Sequence, residues 1–215
     1  MARLPTEKIK TSIHKIMSEK KERKFVESIE LQINLKDINL QIDKKVAGSV
    51  KLPNMPRPNL KICVIGDAEH IEEAKKIGNV DTIDQEALKN FNKENKLIKK
   101  WAKKYQILLC TKTILPKLNQ ILGPILNRIN RFPLPITHDE ALTKRLEEVR
   151  SSIRIQLKKV LCMGLAVARA DMTEEQIRQN ITVTLNFLVS LLKKGWQNIK
   201  GITIKTSMGK PVRII

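Results

Sequence analysis

The side chains that could carry catalysis are few and lie far apart in the sequence. The three histidines fall in an amphipathic helical segment (His14), at the start of another helical segment (His70) and in a Pro/Thr-rich loop (His138). Nucleophilic catalysis needs a nucleophile, a base and an orienting group within hydrogen-bond reach, and no such spacing is visible. We therefore expect surface or helix-capping roles for the histidines, and no enzymatic activity.

Cysteines and glycines also lack the spacing of a metal or nucleotide site. Cys63, Cys110 and Cys162 are odd in number and set in apolar runs, which predicts buried, reduced thiols. The turn at Gly66 and Asp67 has one glycine and no Walker lysine, so we expect a strand-to-helix turn with an Asp cap. The sequence predicts no metal, no cofactor and no small-molecule substrate.

The charge of the chain points to a different kind of partner. The net charge is +19, with 12 Lys/Arg against 7 Asp/Glu in residues 1–55 and 12 against 3 in residues 150–215. A surplus of this size favours a polyanion, because neutralising phosphates releases condensed counterions. Aromatic residues are only 3% of the chain, too few for a protein that stacks single-stranded bases. Recognition of the backbone and shape of a structured nucleic acid fits better.

Hydrophobic periodicity predicts similar elements at the two ends of the chain. Isoleucines recurring at helical spacing predict a first helix, and alternating apolar residues predict the strands. A capping box at Thr173 and Gln176 starts a helix that we expect to end at Gly195. The predicted helix covers residues 6–19, and the predicted strands cover 25–35, 46–52, 153–157, 160–167 and 199–205.

The hydrophobic pattern changes in the middle of the chain, after a stiff connector with three prolines at 53–58. Short, nearly continuous apolar strands alternate with helices, a pattern typical of a parallel βαβ sheet. The strands are predicted at 60–65 and 105–110, and the helices after Asp67 as far as Gly78, at 84–104, and at 111–122 up to Gly123-Pro124. The sequence thus predicts a split α/β sandwich (1–56 and 151–215) that holds an inserted Rossmann-like domain (57–150).

Five motifs, in order along the whole chain, resemble the universal large-subunit ribosomal protein L-one family, eukaryotic L-ten-a type. Each motif alone is short, but their common order makes the match specific. They lie at 24–31 (KFVESIEL), 48–53 (GSVKLP), 121–124 (ILGP), 186–192 (NFLVSLL) and 193–211, which runs from KKGWQNI to TSMGKP.

The resemblance implies a fold of two α/β domains, the second inserted in the first. It implies a constituent of the large ribosomal subunit that binds the three-way side-stalk region of large-subunit rRNA near the tRNA exit site. Its partners would be that rRNA, other ribosomal components and, transiently, the departing deacylated tRNA. Its place would be the cytoplasmic ribosome, with assembly in the nucleolus if the organism is a eukaryote. The alternative is an RNA-binding protein that acts outside the ribosome, as a translational repressor or ribosome-assembly factor.

The resemblance also implies which residues contact RNA, and these come mainly from the first domain. Lysines beside these residues would contact phosphates, which fixes orientation and carries little sequence information. The implied contact residues are Lys24, Phe25, Ser28, Thr206, Ser207, Met208 and Gly209, together with Lys159, for which the match to the family is weaker. The flanking cations are Lys205, Lys210 and Arg213.

These residue types suit an RNA minor groove, which presents ribose hydroxyls and phosphates. Thr206 and Ser207 can donate and accept hydrogen bonds, and Gly209 allows close approach of the backbone. Met208 can lie against an apolar sugar or base surface. The alternation of apolar residues by itself predicts that Phe25 is a core aromatic. The resemblance makes it a candidate platform for RNA.

The sequence departs from the usual family pattern at one position. Ile125 stands where the family usually has a glycine after Gly123-Pro124, and strain is expected if the backbone there needs a positive φ.

Two other classes of function are alternatives to an rRNA-binding protein. An enzyme is a second class of function, which a catalytic constellation would support. A peripheral membrane protein is a third class, because the helix at 6–19 is amphipathic, but Glu7 and Glu19 mix with lysines on its polar face. We expect no membrane partner.

Overall fold

The computed structural model describes residues 6–39, 46–78, 80–84, 94–129, 131–138, 141–157 and 160–215. The chain divides into two compact units, one formed by Met1–Pro58 with Val149–Ile215 and the other by Asn59–Glu148. We call them the split unit and the inserted unit. That each unit is a functional domain remains a prediction.

The strands of the described ranges are, in chain order, β1 (Ser28–Leu35), β2 (Ala47–Lys51), β3 (Ile62–Ile65), β4 (Asp81–Ile83), β5 (Ile107–Thr111), β6 (Leu134–Ile136), β7 (Ser152–Gln156), β8 (Cys162–Arg169), β9 (Ile199–Thr206) and β10 (Val212–Arg213). The α-helices are α1 (Thr6–Ser18), α2 (Ala68–Ile77), α3 (Asn95–Ala102), α4 (Leu115–Ile121), α5 (Gly123–Ile129), α6 (Leu142–Ser151) and α7 (Glu174–Leu191). A 3-10 helix covers Gly195–Asn198.

The split unit has an antiparallel sheet in the order β10-β9-β1-β8 and a separate two-stranded ribbon of β2 with β7. β1 lies between β9 and β8, and its alternation buries every second side chain, Ile29, Leu31, Ile33 and Leu35. The buried residues of α1 and α7 belong to the same hydrophobic core as this face. The opposite face of β1 carries polar residues and is not part of that core.

Helix α7 begins as predicted but ends earlier than predicted. The Thr173 hydroxyl accepts from the Gln176 N–H, and the Gln176 side chain accepts from the Thr173 N–H, so the capping box is confirmed. The helix ends at Leu191 because Leu192 is already extended, with ψ of 136°. Gly195, with φ of 54°, instead starts the 3-10 helix that leads into β9.

The inserted unit has a parallel sheet in the order β4-β3-β5-β6. All four residues of β3 are buried, as are four of the five in β5, because helices supply apolar side chains to this core. A split antiparallel α/β unit and an inserted parallel unit make up the predicted fold class, which is confirmed.

Several boundaries in the inserted unit differ from the predicted ones. β4 and β6 are only three residues long, and Pro135 lies in β6, so neither strand gave a periodic signal, and α6 was also missed. Of the helix predicted at 84–104, residues 85–93 lie outside the described residues, and α3 covers Asn95–Ala102.

The predicted helix end before Gly123 and Pro124 is confirmed, since α4 ends at Ile121, but these two residues at once begin another helix, α5. Proline is tolerated in a first helical turn, where its missing N–H has no intrahelical partner. Ile125 therefore lies inside a helix. Among the described non-glycine residues only Asp37 has a positive φ, so the strain considered for Ile125 does not exist.

Candidate nucleic-acid interface

Strand pairing brings together the two segments that the resemblance singled out. β1 and β9 run antiparallel with Ile29 opposite Thr206, so the residues before β1 and after β9 meet at one edge of the sheet. We call residues 24–28 and 205–210 together the loop edge. β1 begins at Ser28, three residues later than predicted, which leaves Phe25 in the loop and off the apolar face of the strand.

A reciprocal set of hydrogen bonds joins Ser28 to Ser207. The Ser207 N–H donates to the Ser28 carbonyl (3.0 Å), and the Ser28 N–H donates to Ser207 Oγ (3.2 Å). Ser207 Oγ in turn donates to the Ser28 carbonyl (3.3 Å). The Ser207 hydroxyl, predicted to meet RNA, therefore first continues the β1–β9 pairing by one residue.

The residue that organises the loop edge is Glu27, which the sequence interpretation missed. Its side chain is 3% exposed, and its carboxylate accepts hydrogen bonds from the Thr206 hydroxyl and the Met208 N–H and pairs with Arg23. The bond from Thr206 lowers the pKa of Glu27; burial opposes this, and Arg23 adds to it. A signal was available, because Glu27 shares its parity with buried Ile29 and Leu31, and a charged residue at a buried position requires partners.

Thr206 and Gly209 depend on each other. The Thr206 side chain is buried, so its hydroxyl serves Glu27 and is not presented to solvent. The Gly209 N–H donates to the Thr206 carbonyl (3.3 Å), which closes the turn. A Cβ at position 209 would clash with Thr206 Oγ1. Glycine is therefore required here for space.

What the loop edge does present is apolar and unusually exposed. Phe25 is 55% exposed and Met208 64% exposed, and Val26 also lies open to solvent. The prediction that Phe25 would by itself be a core residue is wrong, because it precedes the strand. Exposed apolar side chains on a braced turn can stack on bases or cover the apolar face of a ribose.

The predicted cations are placed unequally. Lys24 and Lys210 are exposed beside Phe25 and Met208. Lys205 instead lies over the sheet, where its Nζ is 3.6 Å from Glu30 Oε2 and 3.5 Å from the Ser207 carbonyl. Arg213 donates from Nε to the Ile215 carbonyl. Lys159 lies outside the described residues.

The inserted unit has its own polar edge at the carboxyl ends of β3, β5 and β6. There the rings of His70 and His138 stack with centroids 4.5 Å apart and an interplanar angle of 8°. Thr113 Oγ1 donates to Asp67 Oδ2 (2.9 Å), and the same oxygen lies 3.6 Å from His138 Nε2. We call Asp67, His70, Thr111, Thr113 and His138 the histidine edge.

The histidine edge lacks the order of groups that hydrolytic catalysis requires. In a catalytic triad the imidazole stands between the hydroxyl and the carboxylate, whereas here the carboxylate of Asp67 stands between Thr113 and His138. Asp67 occupies the N-cap position of α2, as predicted, but its side chain makes no capping hydrogen bond. The surface role predicted for His70 is wrong, because its ring is buried.

The three cysteines are all free thiols, and two of them are buried as predicted. Cys162 is exposed, contrary to prediction, because it lies opposite Asn34 on the solvent side of the sheet. Within the described ranges, no three potential ligands come together to hold a metal ion. No helix in the same part of the chain is long and apolar enough to cross a bilayer.

Comparison with known proteins gives a consistent result over the length of the chain. The profile of the ribosomal protein L1p/L10e family matches residues 17–210. The large ribosomal subunit protein uL1 of Oryza sativa subsp. japonica is 50% identical, with 100% of both chains covered. The uL1A protein of Schizosaccharomyces pombe is 46% identical over 100% of both chains, and uL1 of Drosophila melanogaster is 46% identical over 92% of this chain and 90% of its own. The chain therefore belongs to the ribosomal protein L1p/L10e family.

Proposed function

We propose that this protein is a structural constituent of the large ribosomal subunit that binds the side-stalk region of large-subunit rRNA through the loop edge. The observation that carries this proposal is the loop edge, where Phe25 and the Met208 of the braced turn are exposed to solvent, each next to an exposed lysine, Lys24 or Lys210. Membership of the ribosomal protein L1p/L10e family supports it, as do relatives named large ribosomal subunit protein uL1.

The loop edge would recognise RNA by shape and stacking. Lys24 and Lys210 attract the phosphate backbone and set orientation. Phe25 and Met208 then cover unstacked bases or ribose faces, and the backbone near Gly209 can approach the RNA closely because no Cβ intervenes. Thr206 and Ser207 act mainly by holding the turn in shape, since both hydroxyls already have protein partners.

The finer assignments extend this proposal. The split unit would be the rRNA-binding domain and the inserted unit a second domain beside it. The departing exit-site tRNA would be a transient partner, and other ribosomal components would be permanent ones. The protein would act without catalysis in cytoplasmic ribosomes, after assembly in the nucleolus.

The test is binding to a fluorescein-labelled RNA that contains the side-stalk three-way junction of the organism's own large-subunit rRNA. We expect the double variant Phe25→Ala/Met208→Ala to lose about 10- to 100-fold in affinity, because one base stacked on Phe25 contributes about 1–3 kcal/mol. Leu97→Ala is a matched control, since Leu97 is an exposed apolar residue of α3 in the inserted unit.

A duplex RNA of equal length and charge separates specific from electrostatic binding. We expect the intact protein to prefer the junction by at least tenfold and the double variant to lose most of this preference. Equal affinity of the intact and double-variant proteins for the junction would reject the loop edge as the interface. Equal affinity of the intact protein for both RNAs would reject the proposed function itself.

A further inference from the structure

The pair Arg23–Glu27 lies within the loop edge, yet the chemistry of RNA contact does not require it. Glu27 is an almost fully buried carboxylate, and a negative charge next to a surface that binds phosphates opposes binding by itself. Arg23 is one residue from Lys24, but its guanidinium is turned to Glu27. Neither side chain is therefore arranged to contact a phosphate.

The carboxylate of Glu27 instead bonds to the last residue of β9 and to one residue of the turn that follows. It accepts from the Thr206 hydroxyl at the start of the turn and from the Met208 N–H in the middle. The bond to the Met208 amide fixes the backbone of the residue whose side chain is most exposed. Thr206 can serve Glu27 only because position 209 has no Cβ.

The backbone of Glu27 is fixed as firmly as its side chain. Its carbonyl accepts from the Ala170 N–H (2.9 Å), just beyond β8, and Lys20 Nζ donates to the Ala170 carbonyl (2.8 Å). Three segments that are remote in sequence (before β1, after β8 and after β9) are thus joined at one carboxylate residue. A residue held in this way can transmit its position to the turn.

We infer that Arg23 and Glu27 are positioning residues of the RNA interface: Glu27 holds the 206–209 turn in its binding conformation, and Arg23 neutralises Glu27 without contacting phosphate. The inference rests on the proposed function, because it concerns the same interface. It separates two neighbouring cations, Arg23 and Lys24, which sequence alone does not distinguish. It also predicts that removing a negative charge from a protein of net charge +19 weakens its binding to RNA.

The test uses the full chain and the labelled three-way-junction RNA, with affinity measured over a range of salt concentrations. Lys24→Gln should reduce the slope of log affinity against log salt by about 0.7–0.9, as expected for one lost phosphate contact. Arg23→Gln makes the same change of charge, but should lower affinity about tenfold at every salt concentration with the slope unchanged. Glu27→Gln should also weaken binding about tenfold, because hydrogen bonds to a charged group are lost.

The double variant Arg23→Gln/Glu27→Gln tests whether the two residues act as one unit. We expect its loss of affinity to be no greater than that of the single variant that loses more, because the same turn is released in each case. Unchanged or tighter binding by Glu27→Gln would overturn the inference, since charge alone predicts that result. A reduced salt slope for Arg23→Gln would also overturn it, because Arg23 would then be a phosphate contact.

A measurement without RNA keeps this inference distinct from the proposed function. Amide hydrogen exchange of Met208 should be slow in the intact protein and much faster in Glu27→Gln and Arg23→Gln, with the amides of β1 unchanged. If the intact protein fails to bind the junction RNA, the proposed function fails, and the Met208 amide still decides whether Glu27 positions the turn. Unchanged exchange at Met208 in both variants would overturn the inference whatever the RNA results.

Discussion

The loop edge and the histidine edge both contain polar residues at the end of a sheet, but they differ in whether their buried polar groups are hydrogen-bonded. At the loop edge, buried Glu27 and Thr206 bond to each other, and Glu27 also bonds to the backbone and to Arg23. At the histidine edge, the Thr111 hydroxyl and both His70 ring nitrogens are buried without a hydrogen-bond partner in the described part of the chain. A satisfied network rigidifies the protein, whereas unpaired buried groups cost free energy.

The two edges also present different chemistry to solvent. The loop edge exposes apolar side chains flanked by lysines, while the first turns of α2 at the histidine edge carry exposed carboxylates, including Glu69 and Glu73. Such carboxylates repel phosphate. This difference favours the loop edge, with its braced, uncharged turn and adjacent cations, over the histidine edge as the proposed RNA interface. A collection of polar residues at a strand end is not sufficient.

The largest expected effect is that of Thr206→Val, which keeps the shape of the side chain and removes its hydroxyl. Glu27 then stays buried without one of its hydrogen bonds, which should destabilise the split unit by about 1.5–3 kcal/mol. The chain has one tryptophan in each unit, Trp196 and Trp101, so denaturant unfolding in a Trp101→Phe background reports the split unit alone. A loss below 0.5 kcal/mol, read as roughly no lost hydrogen bond to a charged group, would show that Thr206 does not support Glu27.

A smaller effect is expected from pH, because other carboxylates titrate over the same range. The pKa of Glu27 is lowered from 4.5 in the folded state, chiefly by the Thr206 hydroxyl. Its stabilising contribution is therefore complete above the pKa of the unfolded chain and is lost as pH falls through the lower folded value. The free energy of unfolding of the intact protein and of Glu27→Gln should converge as pH is lowered below 4.5. A constant difference down to strong acid would contradict the lowered pKa.

How much of the interface could be read from the sequence depends on the range of the interactions involved. Alternation along β1, the capping box of α7 and the turn at Gly78 are local and were predicted correctly. The inward direction of the Thr206 hydroxyl depends on Glu27, which is 179 positions away along the chain, and no local pattern encodes such a pairing. The same holds for Cys162, whose exposure follows from its register opposite Asn34.

Elements were missed where local signals were weak or misleading. β4 and β6 are too short to show a period, and β6 contains Pro135, which argued against a strand. Gly123-Pro124 correctly indicated the end of α4, but the same pair also begins α5, which was missed. The stacking of His70 on His138 joins two strand ends across a parallel sheet, so the three histidines could not be distinguished from one another in advance.

A still smaller effect, of opposite sign, is expected for Thr111→Val. This is the same substitution as at Thr206, made at the other edge on a threonine that is also buried. Its hydroxyl has no partner within the described ranges, so its removal should stabilise the inserted unit by about 1 kcal/mol. Unfolding in a Trp196→Phe background reports this unit through Trp101. Destabilisation comparable to that of Thr206→Val would mean that Thr111 is satisfied by bound water, and would remove the contrast between the edges.

The smallest effect concerns the reactivity of the thiols and changes no stability. Burial raises the pKa of Cys63 to about 12, with a further contribution from the Asp81 carboxylate, and burial likewise raises the pKa of Cys110 to about 12. Both lie in the parallel sheet, whose faces are covered, whereas Cys162 lies on the open face of the antiparallel sheet. Because the thiolate is the reactive form, a disulfide reagent at pH 8 should modify one thiol rapidly in the native protein and the other two only after unfolding. The Cys162→Ser variant should show no rapid phase. A rapid phase that persists in this variant would mean that the sheet of the inserted unit opens to solvent as readily as the open face of the antiparallel sheet is exposed to it.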